Sequence, residues 1–254
     1  MLGLGVWVGC TGDGGGGKDT AVGGPDQWWS TPAVSDEIAG LSAGDLTTAS
    51  AGDEWLAWGV RPFWNALFST GATDTACPIA GDLAFSGGCT DADGREWWGE
   101  IAWDDDWGWS SEGFGHDRED GCWEIRSGTT YIEGSAAATS YSFQAGIWTV
   151  CEGVVSDGWA ADGSATHGFD MDRYDYTWGS NVSLGVRGLG SATLAERDVY
   201  VASCAHEPDA GTLTVDADGH TLAYTYDGAS ACDGAVPVTL DGGDEASASW
   251  STSR

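Results

Sequence analysis

With 254 residues, the chain has room for one large domain or two small ones. Forty acidic residues against nine basic ones leave a net charge of −31. That balance excludes a partner held through nucleic-acid phosphates and sets the folded part against anionic lipid headgroups. Leu, Ile, Val and Phe together make up only about 16 % of the chain, and below roughly 20 % at high charge a sequence tends to disorder. Sixteen tryptophans and seven cysteines reverse that expectation. Each aromatic ring buries on the order of 150–250 Å2, so rings and disulfides have to supply the core that aliphatic side chains do not.

Residues 1–10 read as a lipoprotein-type signal. An apolar run, Leu2 to Gly9, ends at Cys10 and drops into the Gly-rich segment Thr11–Thr20. Cys10 is then the lipidated first residue of a mature chain anchored from outside the membrane. No basic residue precedes the run, as a full secretory signal requires, so the segment reads as truncated. Residues 11–35, with Pro25 and Pro32, read as a flexible tether. No stretch reaches the ~20 apolar residues of a membrane span, which leaves lipid as the expected membrane contact. Residues 36–254 read as a single disulfide-stapled β domain.

Within 36–70 the spacing predicts short helices. Ser35 is placed to cap a helix opening at Asp36-Glu37-Ile38. Aromatic spacings in 53–58 and 63–68 predict a further short helix on either side of Pro62. From Cys77 onward the period is two, as in 97–103, 141–148, 181–187, 199–201 and 212–215, which marks half-buried strands. Gly, Asp and Ser punctuate these runs every ~8–12 residues, the pattern of an all-β sandwich, barrel or β-solenoid. Asp-Ala-Asp-Gly occurs at 91–94 and again at 216–219, and an Asp-Gly between alternating runs signals a hairpin.

After Cys10 six cysteines remain: Cys77, Cys89, Cys122, Cys151, Cys204 and Cys232. An even count suits three disulfides and an oxidising compartment. Fifteen pairings are open; the sequential one joins 77 to 89, 122 to 151 and 204 to 232, each bracketing a strand-like segment. Their spacing is not that of a zinc site.

The densest chemistry lies in 91–120, where eleven acids interleave with Trp97, Trp98, Trp103, Trp107 and Trp109. Hard cations such as calcium take six to eight oxygen ligands, and Asp104, Asp105 and Asp106 are the candidate ligands. The competing account is a solvated acidic loop. Indoles beside carboxylates also suit a glycan, whose C–H faces stack on rings and whose hydroxyls donate to carboxylates. Against that stands cross-strand and core packing of the same rings. Two carboxylates about 5–9.5 Å apart would suit a polysaccharide hydrolase. His116, His167, His206 and His220 are scattered, and His116-Asp117 reads as exposed. No GxSxG elbow, HExxH helix, phosphate loop or dinucleotide fingerprint is present, so an enzyme is the less favoured class.

Cys10 with its Gly/Asp-rich tether, the block Cys77-Pro78…Gly88-Cys89-Thr90-Asp91…Gly94, and a Trp- and Asp-rich β body resemble the acidic, Cys- and Trp-rich secreted lipoproteins of the myxobacterial type. The resemblance covers about twenty residues at the N-terminus and about eighteen in the block. It implies an extracytoplasmic, lipid-anchored location in the cell envelope and assigns no functional residue. The expected function is an envelope domain binding glycan or a protein partner through exposed aromatics. A secreted hydrolase using carboxylates of 91–120 and a calcium-stabilised scaffold stay open as alternatives.

Overall fold

The computed structural model describes residues 33–47, 49–58, 63, 66–67, 76–81, 84–103, 108–135, 138–170, 175–201, 208–228 and 230–249. Two helices come first, α1 (Val34–Gly40) and α2 (Ala49–Ala57). The strands are β1 (Ile79–Ala80), β2 (Ala84–Ser86), β3 (Cys89–Thr90), β4 (Glu96–Trp98), β5 (Glu100–Trp103), β6 (Gly108–Asp117), β7 (Trp123–Ser135), β8 (Ala138–Cys151), β9 (Val154–Asp170), β10 (Asp175–Val186), β11 (Gly190–Val201), β12 (Ala210–Ala217), β13 (His220–Tyr226), β14 (Ala235–Leu240) and β15 (Glu245–Ser249). The fold is all-β with short helices, as the alternation predicts.

From β5 onward each strand pairs antiparallel with the next, in one sheet running from β1 to β15. Next-neighbour antiparallel order is that of an up-and-down meander, and not the parallel coil of a solenoid. Three of its hairpins turn on Glu152-Gly153, Asp218-Gly219 and Asp241-Gly242, with φ of 52° and 79°, 50° and 81°, and 52° and 69°. Positive φ at both central residues is what an I′ turn demands; the first two close two-residue hairpins, whereas Asp241-Gly242 opens the longer connection from β14 to β15. These turns mark one rim of the sheet, the turn rim. The opposite rim, the open rim, carries the β7–β8, β9–β10, β11–β12 and β13–β14 connections. The Asp-Ala-Asp-Gly at 91–94 also turns a hairpin, between β3 and β4. The run 97–103 is not one strand: Gly99, at φ 73°, breaks it into β4 and β5, both of which pair with β6.

One face of the meander, the inner face, is apolar. Phe143, Ala145, Trp159, Val182, Leu184, Leu194, Leu213, Val215, Tyr224 and Val238 bury there against Leu46, Trp55, Leu56 and Phe63. Tyr224 Oη donates to the Gly52 carbonyl (2.8 Å), and the Ser249 amide donates to Asp53 Oδ1 (2.7 Å), which pins α2 to β13 and β15.

Helix α1 lies on the other, outer face. Val34 and Ile38 cover Ile125, Trp148, Val150 and Ala160, and Glu37 forms a two-pronged ion pair with Arg187. The predicted cap at Ser35 is corrected: the helix begins at Val34, after Ala33, with no side-chain cap. Burial of Val34 decides the start, since packing of an apolar face outweighs a single cap. The segment from α1 toward α2, a strap across the sheet, then rounds the turn rim, where the backbone at 42–44 bonds to Ser191. Gly190 (φ 115°) leaves the room: a Cβ there would lie 2.8 Å from Gly44 Cα.

Disulfides join Cys77 to Cys89 and Cys122 to Cys151, as the sequential pairing expects. Cys232 is also disulfide-bonded, and Cys204 lies outside the described residues. Disulfides persist in oxidising compartments, so the protein is extracytoplasmic. Among the described residues no helix is long and apolar enough to cross a membrane.

Candidate functional site at the open rim

Of the five tryptophans predicted as a glycan platform, Trp97 is corrected to a core residue, and the side chains of Trp103 and Trp109 lie outside the described ones. Trp97 is fully buried, its ring 4.6 Å from the His116 ring and tilted 56° to it, and it donates from Nε1 to Asp91 Oδ2 (3.0 Å). It is a core residue because its strand position opposite His116 points the ring at the inner face. Trp98 is half-buried, edge-on to Trp123 at 6.3 Å. Trp103 and Trp109 pair across β5 and β6. Trp107 and the Asp104, Asp105, Asp106 run lie outside the described residues, as does Cys10. Among the described residues no group of three or more His, Cys, Asp or Glu converges as a metal site.

His116 is buried, contrary to the exposed position expected of it. Its Nδ1 bonds to the Asp117 carbonyl (2.7 Å), and Nε2 faces Glu124 Oε1 at 3.9 Å. Asp91 is structural too. Burial works to raise its pKa, but the Trp97 indole, the Arg95 and Asp93 amides and the Arg95 guanidinium outweigh it and hold the carboxyl below the usual carboxylate range.

Polar chemistry instead gathers on the inner face at the open rim. The ladder registers align Thr139, His167, Trp178, Asp198, Gly211 and Tyr226 in one transverse row across β8 to β13. At ~4.8 Å per strand the row spans about 24 Å. The next row toward the core is Tyr141, Ala165, Ser180, Glu196, Leu213 and Tyr224. Glu196 and Asp198 are 4 % exposed and Asp209, beside the start of β12, is 6 % exposed. Buried acids demand partners: Tyr226 Oη donates to Glu196 Oε1 at 2.8 Å. The phenol reaches two strands across because Gly211, between them, carries no side chain. Gly211 also sits at φ 131°, where other residues are strained.

Tyr141 and Trp178 are both half-buried, with ring centroids 6.2 Å apart and planes 33° from parallel. Burial pushes the Tyr141 hydroxyl pKa up, opposed by a hydrogen bond with Thr139. Comparison of the chain with protein-family models, with curated proteins and with solved structures finds no match. The site's chemistry therefore rests on its own geometry: two tilted aromatic faces, an imidazole, and buried carboxylates on one wall.

These residues are distant in sequence, and the reading of 91–120 passes them over. A signal was nonetheless present. On β11, Glu196 and Asp198 occupy the same phase as Leu194, the positions where period two predicts apolar side chains. Charges in the apolar phase of a long strand mark a polar inner patch.

Proposed function

We propose that the protein is a lipid-tethered envelope domain that binds a neutral glycan at its open rim, through Trp178 and Tyr141 with His167, Asp198 and Glu196. The observation that carries this reading is the row in which a half-buried indole stands between an imidazole and a buried carboxylate. Sugar C–H faces stack on such rings, and sugar hydroxyls donate to carboxylates that water reaches poorly. The partly exposed stretch of the row, Thr139, His167 and Trp178 on three neighbouring strands, spans about 10 Å, room for one or two sugar units. The charge of −31 favours a neutral glycan over an anionic one.

Orientation supports the tether. The chain enters the fold at Val34, on the turn rim beside Val155 and Arg187. The open rim is the opposite end. A tether from Cys10 would then join the domain at the end opposite the row. Mass spectrometry of the mature protein from envelope fractions tests the lipid directly: an acyl adduct on Cys10 is expected, and an unmodified Cys10 in that fraction refutes it.

Binding is tested by calorimetric titration with soluble neutral oligosaccharides extracted from the envelope. Trp178→Ala and Tyr141→Ala should each weaken binding at least tenfold, while thermal unfolding shifts by no more than a few degrees. Saturable binding that survives both substitutions would place the glycan elsewhere. Chromatography of the same mixtures reports any cleavage, and product that vanishes in Glu196→Gln would replace the binding reading with hydrolysis.

A further inference from the structure

The outer face carries a second feature, independent of the glycan row. Directly behind Ser180 and Glu196, a groove of about 250 Å3 opens across β9, β10 and β11. Its floor is Gly179, which pairs with Thr166 on one side and Arg197 on the other. Side chains of Ser164, Thr166, Asn181 and Arg197 line it. The alternation that sends Ser180 and Glu196 inward sends these residues outward, and all four are exposed. The groove exists because position 179 has no side chain. A Cβ there would lie 2.9 Å from Thr166 Oγ1 and fill the space.

Arginine use singles this groove out. Among the described residues there are five arginines, and four of them hold carboxylates: Arg95 on Asp91 and Asp93, Arg118 on Asp120, Arg126 on Glu124, and Arg187 on Glu37. Arg197 has no ion pair among the described residues. In a chain with forty acids and nine bases, a guanidinium left without a carboxylate is the exception. Its neighbours across the groove are two hydroxyls and a carboxamide, which neither neutralise it nor compete for it.

We infer that this groove binds the carboxylate of a small polyhydroxylated acid, of the uronic-sugar class, with Arg197 holding the carboxylate and Ser164, Thr166 and Asn181 meeting the ring hydroxyls. A planar fork of donors matches a carboxylate edge-on, and such charge-assisted pairs are stronger than neutral ones. Hydroxyls and an amide supply both donors and acceptors for sugar hydroxyls. The size sets a limit: pockets enclosing drug-sized ligands run about 300–1,000 Å3, so this groove takes one ring and not a chain. The net negative charge acts at longer range and is screened beyond about 8 Å at physiological salt, whereas the Arg197 contact is direct.

The test uses the full chain in 0.15 M salt and two probes that differ in one group, methyl glucuronide and methyl glucoside, titrated by calorimetry and by amide chemical shift. The glucuronide should saturate and move the Thr166, Gly179 and Arg197 amides, binding at least tenfold more tightly than the glucoside. Arg197→Gln should bring the glucuronide down to the level of the glucoside, and Gly179→Ala should abolish both by filling the floor. Arg197 is exposed, so its replacement leaves folding intact, which circular dichroism verifies. Inorganic sulfate should displace the glucuronide. Equal binding of the two probes, binding unchanged in Arg197→Gln, or no saturation by the glucuronide each overturns the inference. None of these outcomes involves Trp178, so failure here is distinct from failure of the glycan row.

Discussion

Replacing Trp148 tests whether indole rings carry the stability of this protein. Trp148 is fully buried on the outer face, beneath Val34 and Ile38 of the strap. Its ring lies over Gly146 and Gly158, and a Cβ at either glycine would collide with it. A buried Trp removes up to about 250 Å2 from water, which at 25 cal/mol per Å2 is about 6 kcal/mol. Compactness of the unfolded chain trims such figures by 10–40 %, leaving about 4 kcal/mol for Trp148→Ala, within the range for large-to-small core substitutions. At about 2–4 °C per kcal/mol for a domain of this size, melting falls by about 8–16 °C.

Trp148→Phe separates packing from the polar group. The indole Nε1 is buried with no hydrogen-bond partner among the described residues. Phe removes that donor, whose desolvation costs about 1–3 kcal/mol, and keeps most of the apolar ring. Its loss should stay within about 1.5 kcal/mol. Urea denaturation followed by circular dichroism measures both, because sixteen tryptophans confuse fluorescence. Limited proteolysis should cut the strap near Val34 faster in Trp148→Ala. A loss under about 1 kcal/mol for Ala, or equal losses for Ala and Phe, would refute the claim that this ring's burial holds α1 and the outer face.

The Cys122–Cys151 bridge sits one step beyond the Trp123–Val150 pair and closes a separation of 29 residues. Chain entropy then assigns it about 3.6 kcal/mol, and the Cys122→Ser/Cys151→Ser double variant should lose that much in urea. Asp91→Asn should cost about 2 kcal/mol, because Asn has one acceptor oxygen where Asp91 uses two, so an amide NH2 must face either the Trp97 indole or the Asp93 and Arg95 amides. The Asp91 pKa is depressed in the fold, so its contribution is present above the unfolded value near 3.9 and lost as pH falls through the folded one. An acid-unfolding curve of Asp91→Asn should lack that part of the acid loss. At the turn rim, His220 Nδ1 lies 2.7 Å from Asp241 Oδ2. The hydrogen bond and charge of Asp241 raise the imidazole pKa and lower that of the carboxyl. His220 should therefore titrate above 6.5 by NMR, and Asp241→Asn should bring it back down. The pair's contribution is present below the unfolded value and lost as pH rises through the folded one.

The strand run from Tyr141 to Val215 was legible because period two is a local property: side chains on alternate sides sort by solvent contact. The two Asp-Ala-Asp-Gly turns were legible for a similar reason, since Gly supplies the positive φ. The Trp-rich segment misled because composition cannot distinguish a ring facing the core from one facing water. Trp97 and Trp98 are adjacent, and the pleat sends one into the core while the other stays half-exposed. The helix start was missed for a related reason: Ser35 has the better capping chemistry, but Val34 has a hydrophobic site to fill.

Sequence alone determined the all-β class and the tight turns, because each depends on near neighbours, and the even count of cysteines after Cys10 pointed to disulfides and an oxidising compartment; which cysteines pair was settled by the structure. Only the tertiary structure decided that Tyr141, His167, Trp178, Asp198 and Tyr226 share the end of one face, and that Gly179 leaves Arg197 beside an empty groove. Those arrangements follow from strand register across six strands. A shift of one residue in any ladder would send its whole set of side chains to the opposite face, and no local pattern specifies which residues then stand side by side.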